Sequence, residues 1–188
     1  MGYYNRPNQE GVYQHFCTLD QQAELPILVY NVPPRAVVDI QPQTMARLAS
    51  LDSVVGVKDA TCDLSRPLRE RALIEGEFCF LSGEDPTAVA YNAHGGVGCI
   101  TVTANVAPAL SSQLQQACLD KNFALALEIQ MRLMPLHRAL FLEPSPAGAK
   151  FACSLLGLCS PECRSPMVEL SDDAKRKIRE AVETLGLI

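Results

Sequence analysis

At 188 residues the chain is long enough to bury one sizeable core, and nothing in it compels a second. A formal net charge of −5 excludes nucleic acid and anionic membrane surfaces as main partners. Apolar residues make up 48%, yet no run approaches the roughly 18 that a bilayer span needs, and no basic segment leads into an apolar one as in a signal peptide. The expectation is a soluble, cytoplasmic protein.

Residues 9–24, QEGVYQHFCTLDQQAE, carry a helical pattern, and LPILVYNVP at 25–33 follows as an apolar run closed by proline. QPQTMARLASLD at 41–52 is helical and leads into SVVGVKDA at 53–60, whose valines favour a strand buried on both faces. Asp63 is placed to cap a helix running to about Ile74, and EFCFLSG at 77–83 reads as the third strand. Asp85, with Pro86 at the first helical position, opens a short helix, and VGCITVTANV at 97–106 reads as the fourth strand, its body at 98–103. Four helix–strand repeats predict a parallel α/β sheet over residues 1–107.

From Pro108 the pattern is helical throughout, with segments predicted at about 108–119, 122–141, 147–156 and 171–185. Ser171 is the N-cap of the last, Asp172 and Asp173 suit its first turn, and Ala174, Ile178, Ala181, Val182 and Leu185 form one apolar stripe ended by Gly186. Residues 108–188 are therefore an added helical region, suited to packing and oligomerisation.

The eight cysteines, at 17, 62, 79, 99, 118, 153, 159 and 163, include no Cys-x-x-Cys pair. Cys79 and Cys99 fall in strand patterns and Cys118 and Cys153 in helical ones, as reduced cysteines do when they act as small hydrophobes. Cys153, Cys159 and Cys163 lack a histidine or fourth cysteine to complete a ligand set, and His15, His94 and His137 are scattered, so no metal site is expected.

Chemistry in parallel α/β proteins sits at the carboxyl ends of the strands. Here those ends carry Tyr30 with Asn31, Lys58 with Asp59, Ser82 with Gly83, and Thr101 to Asn105. Lys58 ends an apolar run. It either snorkels its charge into water or, desolvated, serves as an amine nucleophile that forms a Schiff base with a carbonyl substrate. Tyr30 is either a strand-end aromatic with a wet hydroxyl or, beside such a lysine, a proton shuttle. Arg35, in a loop stiffened by Pro33 and Pro34, suits bidentate capture of a carboxylate. HGGVG at 94–98 precedes its strand, so a helix-to-strand turn accounts for it better than a phosphate loop does.

Six segments, YYNRPNQEGVYQHF, LPILVYNVPPR, VVGVKDATCDLSR, FLSGED, GGVGCITVTANVAP and RLMPLHRALFLEPSP, together resemble the dihydrodipicolinate synthase (4-hydroxy-tetrahydrodipicolinate synthase) family of pyruvate-dependent lysine aldolases. The resemblance runs in order from Tyr3 to about Pro166. It implies a (β/α)8 TIM barrel followed by a helical domain, and a lyase that condenses pyruvate with aspartate semialdehyde in diaminopimelate and lysine biosynthesis. Residues 1–107 would be half of that barrel, strands 5–8 of the family, and 108–188 would include the last barrel helix. By position, Lys58 would form the Schiff base, Tyr30 would donate and accept protons, and Arg35 would hold the semialdehyde carboxylate. Gly83 and Ile100 fall where backbone groups lie near the pyruvate. Tyr4 matches a tyrosine reaching into a neighbouring subunit's proton relay, and Tyr3 its stacking partner at the interface. No cofactor beyond the covalent adduct is implied, and the expected partner is a second copy, in a tetramer-of-dimers type of homo-oligomer, or an amino-terminal half carrying the first four strands. The sequence departs from the family at Ser145 and near Gly148, where asparagine and bulkier residues are usual. Arg35 favours this family over the sialic-acid lyases; those, the ketodeoxy-sugar acid aldolases and a non-catalytic half-barrel remain the alternatives.

Overall fold

The computed structural model describes residues 4–188 and divides the chain into two compact units, Met1–Ile100 and Thr101–Ile188. In the first unit, Asn8 starts α1 (Gln9–Gln22) by accepting the Gly11 N–H on its side chain at 2.9 Å, which satisfies one of the orphan donors of the first turn. Strand β1 (Ile27–Asn31) follows, then the one-turn helix α2 (Pro33–Ala36) and α3 (Pro42–Leu48), each with proline in its first turn, where the missing N–H costs nothing. Next come β2 (Val54–Asp59), α4 (Arg66–Arg71), β3 (Cys79–Ser82), a 3₁₀ turn at Asp85–Thr87 running into α5 (Ala88–Ala93), and β4 (Gly98–Cys99).

The four strands are parallel and lie in the order β1-β2-β3-β4, each neighbour in sequence also neighbour in space, as short crossovers require. Their buried side is filled by Val29, Val57 and Phe80, against Val12 of α1, Met45 and Leu48 of α3, and Tyr91 of α5. This is the helix-covered α/β core that the alternating pattern predicts.

The fourth strand and the helix that follows β2 differ from expectation. The fourth strand is only Gly98–Cys99, and Thr103–Asn105 form a 3₁₀ turn instead of its continuation. Beyond the bond from Ile100 N–H to Ser82 C=O at 2.8 Å, the segment leaves β3, and β-branched residues without a neighbouring ladder do not hold an extended form. Asp63 does not cap α4 either. Its carboxylate accepts from the Ser65 N–H at 2.9 Å and the Ser65 hydroxyl at 2.6 Å, closing a local turn, and Ser65 takes the N-cap position. The helix that follows ends at Arg71, short of Ile74.

The second unit is helical: a 3₁₀ turn at Thr103–Asn105, then α6 (Pro108–Leu119), α7 (Phe123–Ala139), α8 (Ala147–Leu155) and α9 (Asp172–Thr184). Ser171 caps α9, accepting the Ala174 N–H at 3.2 Å, and of the predicted stripe Ala174, Ile178, Ala181 and Val182 are buried, whereas Leu185 is half-buried at the C-cap, past the last helical residue. Helix α7 packs on α6 and α9, with Leu133 and Leu136 fully buried. All eight cysteines carry free thiols.

Candidate active site

Strand register decides which side chains meet. Tyr30 pairs with Lys58 and Lys58 with Leu81; one step on, Asn31 pairs with Asp59 and Asp59 with Ser82. Because side chains alternate, these two layers point to opposite faces of the sheet. Asn31, Asp59 and Ser82 are buried under the helices, whereas Tyr30 and Lys58 stand on the open face with Leu28 and Ile100.

On that open face the Lys58 ammonium lies 4.0 Å from the centre of the Tyr30 ring. The lysine is half-buried and the tyrosine 46% exposed, so the pair is accessible and mutually positioned. Gly83 bounds the lysine stem: a Cβ there would stand 3.1 Å from Lys58 Cγ and 3.0 Å from Ala60 Cβ. The N–H of Gly83 donates to Asp59 C=O at 2.6 Å and that of Ile100 to Ser82 C=O at 2.8 Å. What these two residues can offer a ligand is therefore a carbonyl, an acceptor for a hydroxyl or a protonated imine.

Behind Lys58 lies a buried polar layer that no motif revealed. The Asn31 side chain donates to Asp39 at 2.9 Å and accepts the Ile40 N–H at 3.2 Å, while Arg66 donates to Asp39 at 2.6 Å and to Ile40 C=O at 2.8 Å. Asp59 accepts the Thr61 N–H at 2.9 Å. Glu70, on the buried side of α4, is 1% exposed. Burial, reinforced by the Asp59 charge, pushes its carboxyl up to about 8, and burial likewise raises the Asp59 carboxyl and the Tyr91 phenol. A charged side chain in a helix pattern, as Glu70 is, normally reads as solvated, so only the packing exposes this layer.

The remaining candidates are less tightly gathered. Arg35 belongs not to a loop but to α2, with its N–H on Val32 C=O at 3.0 Å and its side chain exposed. Two prolines impose helical φ on so short a segment. Among the described residues its guanidinium makes no ion pair. Tyr4 is 86% exposed, and Tyr3 lies outside the described residues. HGGVG forms a helix-to-strand turn, with Gly95 at φ +94°. Among the described residues no three His, Cys, Asp or Glu side chains gather as metal ligands, and no helix is long and apolar enough to cross a membrane.

The model of the dihydrodipicolinate synthetase family matches residues 1–185. The chain belongs to that family. It is 54% identical over 187 residues to the 4-hydroxy-tetrahydrodipicolinate synthase of Parvibaculum lavamentivorans, covering 100% of this chain and 64% of the relative. It is 55% identical over 186 residues to that of Ruegeria pomeroyi, covering 99% and 64%. Among solved structures, the chloride-inhibited dihydrodipicolinate synthase of Acinetobacter baumannii complexed with pyruvate superposes with a TM-score of 0.95 at 36% identity, covering 99% of this chain and 64% of that one. The chain thus spans about 64% of the length of the relatives it matches. A Cβ at Gly148 would lie 2.4 Å from Leu140 C=O, so α8 approaches the end of α7 more closely than a larger residue allows.

Proposed function

We propose that this chain carries the Schiff-base lysine of a lyase that condenses pyruvate with aspartate semialdehyde, a step toward diaminopimelate and lysine. Its α/β unit would contribute four consecutive strands, the family's strands 5–8, to a (β/α)8 barrel, followed by the helical region. The observation that carries this reading is the juxtaposition of Lys58 and Tyr30 as register partners on the open sheet face, 4.0 Å from ammonium to ring centre.

The chemistry follows from that pair. The Lys58 amine attacks C2 of pyruvate, and the carbonyl oxygen gains a proton to give a carbinolamine. Tyr30 donates the further proton with which that oxygen leaves as water, and a protonated imine forms. The imine draws electrons from the methyl carbon, which loses a proton to give an enamine. Enamine carbon then attacks the aldehyde carbon of the second substrate, forming the new C–C bond as the C=O π bond breaks and its oxygen takes a proton; the iminium re-forms, and attack of the second substrate's amine on its carbon closes a ring and displaces the Lys58 amine. The iminium is itself the electron sink, so the reaction calls for no metal or organic cofactor. Carbonyls of Gly83 and Ile100 would receive hydrogen bonds near the bound pyruvate, and Arg35 would bind the semialdehyde carboxylate through its guanidinium fork. In a homo-oligomer, Tyr4 would reach a neighbouring subunit's proton relay with Tyr3 stacked at the interface.

Incubating the protein with pyruvate and borohydride tests the reading. A reduced adduct is expected on Lys58, and Lys58→Arg should abolish it, because guanidinium stays protonated and cannot attack a carbonyl. An adduct on Lys121 or Lys150 would overturn the assignment.

A further inference from the structure

The polar layer behind Lys58 leaves two atoms without partners where β2 faces α5. Asp59 is 4% exposed; Oδ1 accepts the Thr61 N–H, and Oδ2 has no hydrogen-bond partner. Tyr91 is 3% exposed, with its ring in the apolar core and its hydroxyl equally unpartnered. Both line one small cavity, with Ser82, Glu84 and Thr87 around it, that leaves about 10 Å³ to the centre of a water molecule. That is room for about one water. Ser82 is already committed, donating to Glu84 C=O at 3.0 Å and accepting the Glu84 N–H at 3.2 Å. The Tyr91 ring is held in place, since a Cβ on Gly96 would come within 2.5 Å of its Cδ1.

We propose that this cavity is a built site for one ordered water, which donates to Asp59 Oδ2 and accepts from the Tyr91 hydroxyl, and that Tyr91 thereby acts as a positioning residue for Lys58. A carboxylate oxygen and a phenol carried by two residues that line the same one-water space are complementary, and two to four polar partners are what a buried water needs. A cation fits less well, because no three ligating side chains gather there among the described residues. Charged and titratable groups around the site are Asp39, Arg66 and Glu70 on the Asp59 side and Cys62 and Glu84 across the cavity; burial raises the Glu70 carboxyl and the Cys62 thiol, which favours their neutral forms, and it raises the Asp59 carboxyl, which a donor to Oδ2 offsets. Asp59 directly follows Lys58 in β2 and points to the opposite face. Fixing the Asp59 side chain fixes the peptide from which the Lys58 stem departs, in addition to the backbone bonds from Gly83 N–H to Asp59 C=O at 2.6 Å and Ala60 N–H to Asn31 C=O at 2.9 Å. The positioning role rests on the Schiff-base reading of Lys58; the water site does not.

A high-resolution crystal structure of the 188-residue chain should show one water within about 2.7–3.2 Å of both atoms, absent from Tyr91→Phe. An empty cavity, or a cation revealed by anomalous scattering after a rubidium soak, would overturn the site. Borohydride trapping of pyruvate at Lys58 should be about 3- to 10-fold slower in Tyr91→Phe, a small part of the ~10²-fold that a 1 Å misplacement can cost. The pyruvate concentration for half-maximal trapping should be unchanged. An unaltered trapping rate, or a rise in that concentration with no change in maximal rate, would overturn the positioning role. If the unmodified chain forms no adduct while the water is present, the Schiff-base reading fails and the positioning role with it, but the site stands. Should Tyr91→Phe not fold, Asp59→Asn replaces it: the amide reverses the hydrogen bond and keeps the water, and loss of the water there would count against the site.

Discussion

The two faces of the four-stranded sheet are built from the same run of residues and have opposite fates. On the covered face Val29, Val57 and Phe80 are buried against helices, and the strand ends carry Asn31, Asp59 and Ser82, which must find hydrogen bonds inside the protein. On the open face Leu28 and Ile100 are 42% and 41% exposed, and the strand ends carry Tyr30 and Lys58. Lys58 and Asp59 are adjacent in sequence, yet one reaches solvent and the other is buried. The lesson is that accessibility here is set by strand alternation: a one-residue slip of β2 would bury the amine and expose the carboxylate.

The largest expected effect is on the open face: Lys58→Arg should eliminate pyruvate trapping with the fold intact, checked by mass spectrometry beside circular dichroism. On the covered face Phe80→Ala should cost about 3–5 kcal/mol of stability, the range for emptying an aromatic site, measured by urea unfolding; a cost near zero would mean that the helix-covered layer is not the core. Arg35→Ala should weaken use of the semialdehyde by about 2–5 kcal/mol and spare the pyruvate adduct. Equal loss of both would make Arg35 a support of the fold.

Glu70 sharpens the comparison through pH. Its carboxyl stands at about 8 in the fold against an ordinary value of 4.5, so the folded chain holds a proton that the unfolded chain releases between those values. Its contribution to stability is therefore fully present below about 4.5 and lost as pH rises through about 8. The charged groups facing it are Asp59, Arg66, Asp39 and Arg69. Glu70→Gln, which mimics the protonated acid, should flatten this decline and be the more stable form above pH 8, by an amount on the order of a few kcal/mol. Melting curves across pH 5–9 test it; parallel profiles for the two proteins would show that Glu70 is ionised throughout. The smallest effect is on the open face: Leu28→Ser should change stability by no more than about 0.5 kcal/mol while reducing self-association, read by light scattering, because it interrupts an exposed apolar patch.

Much of this was legible in the residues. The alternation of helical and apolar runs determined a parallel sheet, Asn31 and Lys58 fell at strand ends as expected, and the caps and apolar stripe of α9 were readable from Ser171 to Gly186, because these are local properties of propensity, capping and period. The motif segments also placed the chain in its family. Less legible were the elements that depend on a neighbour. Val102 and Thr103 have strand propensity but lie beyond the last ladder bond, so β4 stops at Cys99. Asp63 could bond to several nearby N–H groups, and the turn with Ser65 won over the helix cap. Glu70 and Arg66 sit in a charged stretch that reads as surface, and they are buried only because α4 packs against α3, with Arg66 bonded to the Asp39–Ile40 segment. Sequence by itself determined which groups are available for chemistry, an amine, a phenol and a guanidinium at the carboxyl ends of parallel strands. Tertiary structure alone decided their company, since the pairing of Tyr30 with Lys58 and the enclosure of Asp59 with Tyr91 are set by register and packing between segments distant in the chain, which no local pattern encodes.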